Sequence, residues 1–153
     1  MQVKAALAKI VRVDEVMSRR VITVEASASP AEAAELLSKH KIDGAPVVRN
    51  DRVLGVVSKS DLIDPRHRTA DTVDAVMTRL VYAVRASDPA YLAVQLMVDE
   101  AIHRAVVVDD VGRLCGIVAP LDILRAIRDG KTIAPHAEVQ VDYVDLRKLG
   151  GAH

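Results

Sequence analysis

The apolar positions of this chain fall into short runs whose period changes from strand to helix and back, and the whole alternation is written twice. VITV (Val21–Val24) and VYAV (Val81–Val84) are short runs rich in β-branched and aromatic residues and read as strands. After the first, Ser29-Pro30-Ala31-Glu32 has the capping-box form with proline at the first helical position, and Asp88-Pro89 is expected to open the matching helix in the same way. Ala33, Leu36, Leu37 and His40 then recur at helical spacing, as do Leu92, Leu96 and Val98, so helices are expected through about His40 and Glu100. APVV, a polar turn at 49–52 and VLGVV read as one hairpin; AVVV, a turn at 109–113 and LCGIV read as its counterpart. A helix closes each unit, Lys59–Ile63 in the first and Pro120 to about Arg128 in the second.

The duplication is explicit at the residue level. VDEVMSRRVITVEAS (Val13–Ser27) lies over VDAVMTRLVYAVRAS (Val73–Ser87), and IDGAPVV (Ile42–Val48) lies over IHRAVVV (Ile102–Val108). GVVSKSDLI (Gly55–Ile63) corresponds to GIVAPLDIL (Gly116–Leu124), with Ala119 where the first copy has Ser58. The chain therefore divides into an N-terminal segment 1–12, repeat one at 13–63, a polar linker at 64–71, repeat two at 72–130 and a tail at 131–153. One such unit alone buries too little apolar surface, so the two are expected to pack together. The alternating VQVDYV of the tail could add an edge strand or cross to a partner.

Composition narrows the function classes. The chain has 153 residues, 50% hydrophobic and 27% charged, an ordinary globular balance. Its 21 basic and 21 acidic residues leave no net field to draw nucleic acid or an acidic membrane, so any anion site must be local. No secretory signal core is seen in MQVKAALAKIVRV, and no run reaches the roughly 18 apolar residues of a membrane span, so a soluble, cytoplasmic protein is expected. The single cysteine, Cys115, reads as a small core residue. A Gly-rich phosphate loop, a paired-cysteine motif and a nucleophile elbow are all missing, and the five histidines lack zinc spacing, which argues against an enzyme and against a metal cofactor. With no Phe, no Trp and three Tyr, a stacking platform for single-stranded nucleic acid is poorly supplied.

Read locally, Ser58 caps a helix and Asp61 is the acid three residues on, which the first turn favours. Asp122 follows Ala119, which cannot cap, and Pro120, which starts a helix.

The ordered pattern VM[ST], strand, helix, [IV]xxxPVV and G-apolar-apolar-[ST]xxD, present twice, resembles the tandem cystathionine β-synthase (CBS) domain pair, or Bateman module, from about Val13 to Arg128. The resemblance implies an α/β fold of two pseudo-symmetric β-α-β-β-α repeats packed as one module, with clefts that often take adenosine nucleotides or S-adenosylmethionine. It implies that Asp61 accepts the ribose hydroxyls and that Ser58 also contacts the nucleoside. Val81, Tyr82, Ala83 and Ile102 would lie at the adenine. His103-Arg104 resembles the pair that the γ subunit of AMP-activated protein kinase sets against nucleotide phosphate, and paired guanidinium donors suit phosphate oxygens. The second cleft would join Asp122 with Val21, Ile22 and Thr23 and with Asp43-Gly44, where a carboxylate would repel phosphate.

The resulting expectation is a small regulatory module that binds AMP, ADP or ATP and passes its occupancy to a regulated protein. Alternatives are an interaction module with empty clefts, an S-adenosylmethionine binder and a nucleic-acid binder. A homodimer is also expected, since the family commonly pairs two modules through helices, and Leu36, Leu37, Leu96, Met97 and Leu124 look in excess of one core's needs.

Overall fold

A computed structural model describes residues 9–79 and 82–135 together with the backbone of a short strand at Val144–Asp145. In repeat one, β1 (Val24–Glu25) pairs in parallel with β2 (Gly44–Arg49), and β2 pairs antiparallel with β3 (Arg52–Ser58). Between β1 and β2 runs α1 (Pro30–His40). Its start is the expected cap: Ser29 Oγ accepts from the Glu32 amide at 3.1 Å, with proline inside the first turn. It ends at Lys41 in the left-handed region, and Ala33 and Leu37 face inward. Asn50 and Asp51 carry φ of 53° and 65°, the two-residue turn geometry whose twist matches that of flanking strands. After β3 comes the short helix α2 (Lys59–Ile63), followed by one 3-10 turn at Pro65–His67.

Repeat two follows the same order. It consists of β4 (Tyr82–Arg85), α3 (Ala90–Asp99), β5 (Ala105–Val108), β6 (Leu114–Val118) and α4 (Pro120–Arg128). To the order β6-β5-β4 the tail adds β7 (Val144–Asp145), antiparallel to β4, an edge strand that takes in Val144, the last residue of VQVDYV, and the residue after it. The rest of VQVDYV lies outside the described residues.

The start of α3 departs from expectation. Asp88 does not cap it; its Oδ2 accepts from the Arg85 amide at 2.8 Å and closes the preceding turn. Pro89 stands at the cap position, and the Ala90 amide is taken by the carbonyl of Val11 at 2.7 Å. The N-terminal segment thus supplies the acceptor that a side chain supplies in α1.

That bond belongs to an exchange between the repeats. Val13 packs with Val84, Leu92, Leu96, Val107 and Val118 of repeat two, whereas Val73, Val76 and Met77 pack with Val24, Leu37, Val47 and Val57 of repeat one. Backbone bonds follow the same exchange, from the Val13 amide to Asp88 O and from the Val73 amide to Ala28 O, both 2.8 Å. Each VM[ST] segment therefore caps the sheet of the other copy. The two glycines of the motif permit this. A Cβ on Gly55 would lie 2.6 Å from Thr78 O, and one on Gly116 would lie 2.7 Å from Ser18 O.

Between the two units a third cluster forms from Val48, Val53, Ala83, Val106 and Val108. Of the apolar residues expected to be in excess, Leu37, Leu96 and Met97 are buried in these cores and Leu36 is half-buried; only Leu124 is freely exposed. Exposed apolar residues lie on α4, at Leu121, Leu124 and Ile127 (54%, 60% and 51%), and also at Ile63 of α2 and Val98 of α3. No helix among the described residues is long and apolar enough to cross a membrane.

Candidate functional site between the repeats

A cavity of about 400 Å³, within the range of small-molecule sites, opens between the two units. Its apolar walls are Pro46 and Val56 from repeat one and Ile102, Val106 and Ile117 from repeat two. Its polar groups are Ser58, Asp61, Thr78, Tyr82, His103, Arg104 and Asp43. Few polar groups on an apolar lining are what orients a ligand without making the cavity costly to dehydrate.

Asp61 is set by the way α2 begins. The end of β3 leaves Ser58 extended at the N-cap, and a reciprocal box follows: Ser58 Oγ accepts from the Asp61 amide at 3.2 Å, and Asp61 Oδ2 accepts from the Ser58 amide at 2.9 Å. Ser58 Oγ also donates to Asp61 Oδ2 at 3.0 Å. The box consumes one carboxylate oxygen. Asp61 Oδ1 has no donor among the described residues and remains able to accept. The hydroxyl proton of Ser58, in contrast, is already committed to Asp61.

His103 is exposed and Arg104 half-buried just before β5. Arg104 makes no ion pair or hydrogen bond with the described residues, so its donors are available. Asp43, across the cavity, is paired with Lys59 Nζ at 3.5 Å.

Of the other expected contacts, Tyr82 and Ile102 line the cavity and Val81 lies outside the described residues. Ala83 is different: it is fully buried in the cluster between the sheets, because alternation along β4 turns it from the cavity face that Tyr82 occupies. Asp122, Val21, Ile22 and Thr23 do not line this cavity. Asp122 Oδ2 accepts from the Ala119 amide at 2.8 Å, and its Oδ1 lies 3.8 Å from Arg125.

One pairing of the sequence reading is corrected. Asp43 and Gly44, expected in the cleft of Asp122, line the same cavity as Asp61, His103 and Arg104. The beginnings of β2 and β5 are the equivalent points of the two repeats, and both face one cavity. Thr78, Val56 and Ile117 were not anticipated. Val56 and Thr78 exchange backbone bonds of 3.0 and 2.9 Å, an outcome of the crossed VM[ST] segments. The signal was present in part, since Val56 and Ile117 each follow the motif glycine.

Comparison with known proteins agrees with this architecture. Residues 13–67 and 73–129 each match the CBS domain, and the chain belongs to that family as a tandem pair, a Bateman module. Among curated relatives from Methanocaldococcus jannaschii, it is 32% identical over 117 residues to the uncharacterized protein MJ1232 (76% of this chain, 40% of that one). It is 33% identical over 115 residues to inosine-5'-monophosphate dehydrogenase (74% of this chain, 23% of that one). The match thus covers well under two thirds of each relative. Among solved structures, the CBS domain pair of protein MJ0100, in complex with 5'-methylthioadenosine and S-adenosyl-L-methionine, is 30% identical with a TM-score of 0.69, covering 80% of this chain and all of that one (100%). CBSX2 in complex with AMP is 29% identical with a TM-score of 0.72, covering 78% and 97%.

Proposed function

We propose that the protein is a regulatory module that binds an adenosine nucleotide, AMP, ADP or ATP, in the cavity between its repeats and passes the occupancy to a regulated protein. The observation that carries this reading is the division of labour at Asp61, which lines the cavity with one oxygen held by the cap and the other without a donor among the described residues, beside Arg104, which has no partner among them either. A carboxylate oxygen suits ribose hydroxyls, a guanidinium suits phosphate, and the apolar walls suit a base. The solved relatives bound to AMP and to S-adenosylmethionine support the ligand class. The role is binding rather than catalysis. Val21, Ile22, Thr23 and Asp122 would form a second, weaker cleft, in which Arg125 already stands near the carboxylate.

S-adenosylmethionine is a second reading, favoured by the carboxylate of Asp43 in the same cavity, which suits a cationic sulfonium. The module is further proposed to pair with a second copy through the apolar stripe of α4, in the cytoplasm.

The test is a thermal-shift series with AMP, ADP, ATP, S-adenosylmethionine and NAD on the wild type, Asp61→Ala and Asp122→Ala. A nucleotide at about one hundred times its Kd stabilises by roughly 2.7 kcal/mol. The shift should vanish in Asp61→Ala and largely persist in Asp122→Ala; equal effects, or no shift with any nucleotide, would count against the reading.

A further inference from the structure

We infer that His67, in the polar linker, is a positioning residue for Asp61, an inference that rests on the nucleotide reading of that carboxylate. Helix α2 is only five residues long, and its sequence stops it abruptly. A continuing helix would offer the carbonyl of Asp61 the amide of residue 65, but residue 65 is proline and has no N–H. Proline also pushes the residue before it out of the helical region, and Asp64 is accordingly extended, with ψ of 122°. The turn of helix that carries Asp61 therefore lacks its ordinary closing bond. A backbone carbonyl left without that bond in a half-buried place is costly.

His67 supplies the missing donor. Its Nδ1 lies 2.8 Å from the Asp61 carbonyl oxygen. A carbonyl only accepts, so the hydrogen is on Nδ1. The ring is carried back to the helix by the 3-10 turn Pro65–His67. That turn is fixed in its own right: Asp64 Oδ1 accepts from the Arg66 amide at 2.9 Å, and the His67 amide bonds to Asp64 O at 2.9 Å. Asp61 is thus held at both ends of one residue, its carboxylate by Ser58 and its carbonyl by His67. Repeat two needs no such device. Helix α4 runs on to Arg128, so the carbonyl of Asp122 lies inside a continuous helix with Ala126, not proline, four residues on. The linker residue is accordingly tied to the nucleotide cavity of one repeat and has no counterpart in the other.

The experiment uses the full chain as wild type, His67→Ala and His67→Asn, whose Nδ2 can take the place of the imidazole Nδ1. AMP is titrated by calorimetry, and exchange of the Asp61 amide is followed by NMR without ligand. In His67→Ala the Kd for AMP should rise about fivefold, the loss of one ordinary hydrogen bond, with a comparable acceleration of exchange. His67→Asn should stay within about twofold of wild type on both readouts. Wild-type AMP affinity in His67→Ala, or an Asn variant as impaired as the Ala variant, overturns the inference. If the wild type itself binds no adenosine nucleotide, the nucleotide reading falls, and unchanged Asp61 exchange in His67→Ala would separately overturn the role of His67.

Discussion

Ser58 and Asp61 satisfy each other through three contacts of 2.9 to 3.2 Å, and these contacts use only one of the two carboxylate oxygens. A helix cap and a ligand contact are therefore compatible in one side chain. Stability and binding should accordingly separate by substitution.

Ser58→Ala removes the cap hydroxyl and should cost about 0.5–2 kcal/mol of stability, while AMP affinity changes by no more than about threefold because Asp61 Oδ1 is untouched. Asp61→Ala should cost similar stability and also abolish the AMP response. Urea denaturation with and without AMP measures both. Loss of binding in Ser58→Ala equal to that in Asp61→Ala would show that the hydroxyl itself holds the ligand.

The crossed VM[ST] segments make Gly55 and Gly116 sensitive to a single methyl group. A Cβ at Gly55 would meet Thr78 O at 2.6 Å and Met77 Sδ at 2.8 Å, and one at Gly116 would meet Ser18 O and Met17 Sδ, both at 2.7 Å. Gly55→Ala and Gly116→Ala should each destabilise by about 1–3 kcal/mol, the usual cost of forcing atoms into a packed contact. Losses under about 0.5 kcal/mol in denaturant titration would mean that the segments are loosely held.

These glycines also show what the sequence made legible. Duplication, the helix periods, the Ser29 cap and both hairpins followed from pattern, because each is set by neighbours in sequence, whereas the strand expected over Val21–Val24 is confined to Val24–Glu25, where pairing with β2 begins. The exchange of Val13 and Val73 between units did not, since an apolar segment before a strand fits either of two similar sheets equally well. The same exchange brought Thr78 to the cavity, and alternation along a four-residue strand took Ala83 away from it. Asp61, Tyr82, Ile102, His103 and Arg104 meet at one cavity; that Asp43 meets them there depends on how the two β2-type strands face, which spacing does not encode.

Acid should weaken the linker. The Arg66 side chain, then its amide, hold the Asp64 carboxyl down at about 2, against an ordinary value of 3.8. A carboxyl depressed in the folded state contributes stability above its unfolded value, and that contribution is lost as pH falls through the folded one. Between about pH 4 and pH 2 the wild type should therefore lose more stability than Asp64→Asn. Parallel loss in thermal melts across that interval would remove the Asp64–Arg66 pair as the cause.

Cys115 should be a slow thiol. Its half-buried position in β6 pushes the thiol up, with Asp109 adding to the effect and Arg19 opposing it, and less thiolate is present at neutral pH. Reaction with a disulfide reagent at pH 7 should be slower than for a small free thiol. A rate equal to that of the free thiol would show an open site.

Phosphate recognition is the most specific element of the proposed site, and Arg104 is the group to question. Calorimetric titration of the wild type and Arg104→Ala with AMP, adenosine and S-adenosylmethionine is the direct measurement. The wild type should bind AMP most tightly of the three. Arg104→Ala should weaken AMP by about tenfold, the loss of a charge-assisted contact worth at least 1.4 kcal/mol, and leave adenosine and S-adenosylmethionine nearly unchanged. Parallel weakening of all three would make the arginine structural, and S-adenosylmethionine as the tightest ligand of the wild type would contradict a site built for nucleotide phosphate.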